Sequence, residues 1–174
     1  RSHNTLEKAE KNRPVIDEIK ITRAEWFLTI NRAKLALEVL SSIKRLNAKA
    51  KALMIRAYKA LGENDKAFEV AVNLLKNTNE PFHAFRVLQF ADLEAYRDKA
   101  IETVEVYLLN TENEKVREEL ALRYHKEGNI EKAKQHLHHL ANKYANAQAY
   151  MHLARHSQPL QSNSLLVVEG SKRG

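Results

Sequence analysis

The chain has 174 residues, 44% of them apolar, with 29 lysines and arginines against 22 aspartates and glutamates, a formal charge of +7. That apolar content is too high for a disordered chain, and no apolar run exceeds the four residues of Leu165 to Val168, which excludes a bilayer-spanning helix. The absence of cysteine excludes disulfides, thiolate metal sites and cysteine nucleophiles.

Only four glycines and three prolines occur, and Gly170 and Gly174 lie in the last five residues. A β-sandwich or an α/β enzyme of this size needs more turn residues than that. Leu, Ala, Lys, Glu and Arg dominate, all strong helix formers, so the chain reads as all-α. In chain order, residues 1–13 form a polar N-terminal segment in which Arg1, Ser2 and His3 read as a cloning remnant and a short helix starts near Thr5. Apolar residues three and four apart then predict helices over 15–28 and 31–43, 47–61 and 64–77, 81–93 and 96–110, and 114–127 and 130–144. A closing helix is expected at 146–156. The helical domain is thus 14–157, and 158–174 is a tail in which Leu165 to Val168 has strand character. The chain reads as soluble, cytoplasmic or periplasmic, and as one segment of a longer protein.

The helices repeat. Ala33, Ala67, Ala100 and Ala133 are spaced by 34, 33 and 33 residues. Gly62 and Gly128 stand five residues before two of these alanines, and Tyr58 and Tyr124 stand four residues before the glycines. Pro14 and Pro81 each precede an aligned alanine by 19 residues, at the first position of a repeat unit. Each residue type has a physical reason: proline suits a first helical turn, glycine ends a helix in the left-handed conformation, and a small alanine lets two helices pack closely. The stretches Tyr58-Lys-Ala-Leu-Gly62-Glu-Asn-Asp-Lys-Ala67 and Tyr124-His-Lys-Glu-Gly128-Asn-Ile-Glu-Lys-Ala133 carry the pattern most fully. Through them the chain resembles the tetratricopeptide repeat family over roughly residues 14–157. The family's tryptophan near the start of the first helix is missing from every unit, and Leu28 and Ala95 stand where the hinge glycine belongs.

The resemblance implies a right-handed superhelical array of about four antiparallel helix pairs, with a concave groove lined by the first helix of each pair. The implied groove residues include Val15, Glu18, Thr22, Glu25 and Trp26 in the first unit and Lys49, Arg56 and Lys59 in the second. The third unit supplies Phe82, Phe85 and Gln89, and the fourth His125 and Lys126. A basic strip would thus lie beside an aromatic patch and suit a peptide or protein segment with acidic and apolar side chains. Phe82 and Phe85 read equally well as core residues. The resemblance also suggests a non-enzymatic scaffold within a bacterial secretion, pilus or exopolysaccharide assembly.

Two other functional classes remain in view. Lys44, Arg45, Lys49, Lys51, Arg56 and Lys59 form a strip without acids over residues 44–59, which is the basis for an RNA-binding helical repeat. Against it, residues 80–131 carry twelve acids and seven basic residues, which interrupts any continuous basic track. His136 with His139 and His152 with His156 have spacings that place two imidazoles on one helical face. No carboxylate within 132–168 orients them, so packing or solvated histidines are expected, with no metal and no cofactor. No nucleophile elbow, phosphate-binding glycine loop or HExxH pair occurs, so no enzyme is expected.

Overall fold

Among the described residues, five with positive φ mark where helices stop: Asn31 (58°), Gly62 (75°), Asn79 (53°), Gly128 (81°) and Ala145 (50°). The computed structural model describes residues 2–157, with side chains described from Asn4 to Arg155. The expected tail 158–174, including Leu165 to Val168, lies outside the described residues. The described fold is all-α. Its helices are α1 (Ser2–Thr29), α2 (Ala33–Ser41), α3 (Ala48–Ala60), α4 (Asn64–Thr78) and α5 (Pro81–Gln89). After a 3-10 turn at Phe90–Asp92 come α6 (Glu94–Asn110), α7 (Glu114–Lys126), α8 (Ile130–Tyr144) and α9 (Ala147–Ser157). No helix among the described residues is long and apolar enough to cross a membrane.

The α3–α4 and α7–α8 hairpins are built alike. Asn47 and Asn113, two repeat periods apart, cap α3 and α7 by accepting from the Ala50 and Val116 amides at 2.8 and 3.0 Å. At the other end, Gly62 N–H donates to Lys59 O and Glu63 N–H to Tyr58 O, at 3.0 and 2.9 Å. Gly128 and Asn129 repeat the pattern onto His125 O and Tyr124 O at the same distances. This paired closure satisfies the last helical carbonyls and requires a left-handed residue, which glycine supplies without steric cost. Ala33, Ala67, Ala100 and Ala133 are all buried.

The first and third expected hinges are placed differently. Leu28 stays helical, and α1 closes three residues later, where Asn31 takes the left-handed position and Arg32 N–H reaches Phe27 O at 2.8 Å. A Cβ disfavours that conformation, whereas asparagine tolerates it better than leucine. Ala95 likewise lies inside α6, which follows the 3-10 turn at Phe90–Asp92. Arg97 Nε ties that turn by donating to Ala91 O at 3.0 Å. Pro81 opens α5 as expected, but Pro14 lies inside α1 and not in its first turn. The expected separate N-terminal helix is therefore continuous with the next one. Residues before Pro14 are rich in helix formers, and Glu7 precedes Lys11 by four, the favourable order on a helix.

The chain divides between Phe90 and Ala91 into two compact units, so α5 belongs to the first unit and α6 to the second. In the first, Ile21, Ala24, Ala36, Leu40, Ile43, Ala50 and Leu53 form a core from α1, α2, α3 and the α2–α3 loop, with Phe27, Leu28 and Met54 packed against it. Phe90 then meets Phe68 of α4 edge-on at 5.2 Å. In the second, Ala121, Leu137, Leu140, Ala141 and Ala149 pack α7, α8 and α9 together.

Candidate functional site

In the first unit, α3 and α5 carry most of the candidate residues. Lys49 lies exposed 3.8 Å from Glu25 of α1, so a basic candidate on α3 meets an acidic one on α1. Arg56 is exposed and Lys59 is exposed at its backbone turn, yet the Lys59 ammonium sits 4.3 Å from the centre of the Phe90 ring. Phe90 is buried, so this cation covers the face of a core aromatic.

On α5, the two phenylalanines separate. Phe82 is 62% exposed, whereas Phe85 is half-buried and Gln89 exposed. Arg86 is four residues from Phe82, and its guanidinium stacks 4.9 Å from that ring's centre. Arg86 Nη1 is buried with no hydrogen-bond partner, and burial lowers the guanidinium pKa from its ordinary value. His83 beside it is buried, with its pKa lowered first by burial and then by the Arg86 charge. The result is an open aromatic ring backed by a partly buried cation. Sequence reasoning passed over Arg86, although an arginine four residues after an exposed aromatic on one helix is a readable signal.

His125 and Lys126 belong to the second unit, exposed at the end of α7. The His125 ring lies 6.4 Å from that of His152 on α9.

The histidines of α8 do not form the paired constellation their spacing suggested. His136 is buried, His139 is half-buried, His138 is exposed, and the His156 side chain lies outside the described residues. The orienting carboxylates come from elsewhere in the chain. His136 Nε2 is 2.7 Å from Glu105 of α6, and Nδ1 is 2.8 Å from Arg117 Nη1 of α7. Arginine can only donate, so Nδ1 accepts, and the ring proton sits on Nε2 and is donated to Glu105. Both ring nitrogens are thereby used. Tyr124 OH donates to the same Glu105 oxygen at 2.7 Å, and its ring stacks on His136 at 5.7 Å between centres. Arg117 also donates two hydrogen bonds to Glu112, at 2.9 and 2.7 Å.

These contacts set the charges. The Arg117 hydrogen bonds hold the Glu112 carboxyl at about 2, against an opposing effect of burial. Burial pushes Glu105 upward, but hydrogen bonds from His136 and Tyr124 outweigh it and leave the carboxyl below its ordinary value. Burial, then the bond to Glu105, pushes the Tyr124 phenol up. The cluster joins α6, α7 and α8, with both ring nitrogens of His136 and the Tyr124 hydroxyl engaged within it.

No family model, curated protein or solved structure matches the chain.

Proposed function

We propose that the chain is a non-enzymatic protein-binding scaffold that takes a peptide or protein segment with acidic and apolar side chains. The observation that carries this reading is the pair Phe82 and Arg86, an aromatic ring largely open to water with a guanidinium stacked on it. Aromatic and arginine side chains are the residues from which binding hot spots are most often built. Arg56 on α3 adds positive charge to the same unit.

The RNA-binding alternative draws less support from the strip at 44–59. Three of its cations are engaged within the protein: Lys49 with Glu25, Lys51 with Asn73 at 3.4 Å, and Lys59 with Phe90. A role in a bacterial secretion, pilus or exopolysaccharide assembly is a further part of the proposal that rests on the family resemblance alone.

The test is selection of a displayed random-peptide library on the full chain, followed by anisotropy titrations of the enriched peptides. Enrichment of sequences combining Asp or Glu with Phe, Leu or Ile is expected, with Phe82→Ala weakening them about tenfold or more. Enriched peptides that bind Phe82→Ala and Arg56→Glu unchanged would remove this reading. Tight binding of single-stranded RNA that falls steeply with salt would replace it.

A further inference from the structure

Helix α1 buries one side and leaves a second apolar side in water. Ile21 and Ala24 are buried, with Phe27 and Leu28 beside them on the core side. Val15, Ile19 and Trp26 are 61%, 62% and 57% exposed. At 3.6 residues per turn, Val15, Ile19, Thr22 and Trp26 form a stripe diametrically opposite the core side. Glu18 and Arg23 flank the stripe, one on each side.

The spacing is that of a two-stranded coiled coil. Steps of four, three and four place Ile19 and Trp26 at heptad positions a, and Val15 and Thr22 at positions d. Glu18 then falls at g and Arg23 at e. Thr22 at a seam position carries a hydroxyl, but its proton is donated to Glu18 O of its own helix at 3.0 Å, so the seam need not supply an acceptor for it.

We infer that α1 pairs in parallel and in register with α1 of a second copy of this chain. The charges select both occupant and direction. In a parallel pair a g residue meets the partner's e residue five positions later, so Glu18 faces the partner's Arg23 on both flanks. Neither residue has an ion pair among the described residues, although the Arg23 guanidinium lies 5.7 Å from the Phe27 ring of its own helix. An antiparallel pair with the same seam would bring Glu18 beside the partner's Glu25, two like charges. The seam runs for about three turns, short enough that the dimer exchanges with monomer. This surface takes the α1 residues that the family resemblance assigned to the groove, but not Phe82 and Arg86 on α5, which carry the proposed function, so each assignment can fail without the other.

The chain's single tryptophan sits in the seam and reports on it directly. The experiment is sedimentation equilibrium of the full chain between about 1 and 200 µM, with Trp26 emission recorded over the same range. A monomer–dimer equilibrium accompanied by a blue shift of the emission is expected. Glu18→Arg and Arg23→Glu should each raise the dimer dissociation constant about tenfold, because attractions on both flanks become repulsions. An equimolar mixture of the two variants should restore association, since each flank is then complementary. Circular dichroism of both variants should match the parent, as both positions are exposed and away from the core side. A monomer throughout the range, a dimer with unchanged Trp26 emission, tighter association of Glu18→Arg alone, or a mixture no stronger than its components would each overturn the assignment.

Discussion

The left-handed residues permit a substitution series in which the sign reverses from site to site. Gly128 has a φ of 81°, and a Cβ added there meets nothing within 4 Å. Gly128→Ala therefore carries no clash, only the cost of the left-handed backbone, about 1–2 kcal/mol. Alanine also restricts the unfolded chain, which returns about 0.4–1 kcal/mol. The net expectation is a loss of about 0.5–1 kcal/mol. Ala145, at a φ of 50° after α8, already carries the backbone cost. There the exchange runs the other way, and Ala145→Gly should stabilise by about the same amount. Asn79, two repeat periods before Ala145 at a φ of 53°, is a control, since asparagine tolerates this region and Asn79→Gly should gain less. Urea melts followed by helical circular dichroism give the three values. A neutral Gly128→Ala together with a destabilising Ala145→Gly would refute the argument, because it would mean that hydrogen bonding or packing, and not backbone conformation, governs these turns.

Three further outcomes are expected. Ala67→Leu and Ala133→Leu should each cost about 1–3 kcal/mol in denaturant melts, because both alanines are fully buried and a larger side chain overpacks the hairpin. Glu112 is held at about 2, below its unfolded value, so its contribution is present above about pH 4.5 and lost as pH falls toward 2. Melts of Arg117→Ala across pH 2–7 should show about 1–3 kcal/mol lower stability near neutrality and a shallower decline on acidification. Arg56→Glu should leave the melting temperature unchanged, whereas Lys59→Glu should cost about 0.5–1 kcal/mol by uncovering the Phe90 ring, read as a lower urea midpoint.

Where backbone chemistry is local, the residues declared the structure. Gly62 and Gly128 mark real helix closures, Pro81 a real helix start, and the predicted spans of α3, α4, α7 and α8 lie within one or two residues of those observed. The expected first hinge at Leu28 was misplaced because alignment to a repeat period put a leucine where a left-handed residue must stand, while Asn31 three residues on could meet the requirement. Pro14 was read as a first-turn residue because the helix formers before it bury nothing and so leave no periodic apolar signal. The Glu105, Arg117 and His136 cluster was hidden for another reason. Its members come from three helices, and no sequence spacing encodes which carboxylate meets which imidazole. On the candidate surface, spacing placed Phe82 and Phe85 alike, but only the packing of α5 separates an open ring from a half-buried one.

The polar contacts of α8 also act as a ruler. A three-residue slide of α8 would carry His139 to the place of His136 and Leu140 to that of Leu137, but it would also carry His136 to the buried place of Ala133 and Lys143 to that of Leu140. Such a slide fails at the end of the helix as well. Tyr144 OH reaches Glu112 at 3.2 Å, and Asn146 Nδ2, just past the helix, reaches Glu114 at 2.9 Å. The same displacement would put Ala147 and Ala149 where these two side chains now stand, and neither can donate to a carboxylate. Fasteners at two heights, His136 in mid-helix and Tyr144 with Asn146 at its exit, therefore admit a single axial alignment. The hydrophobic seam and the hydrogen bonds thus fix the same axial position of α8.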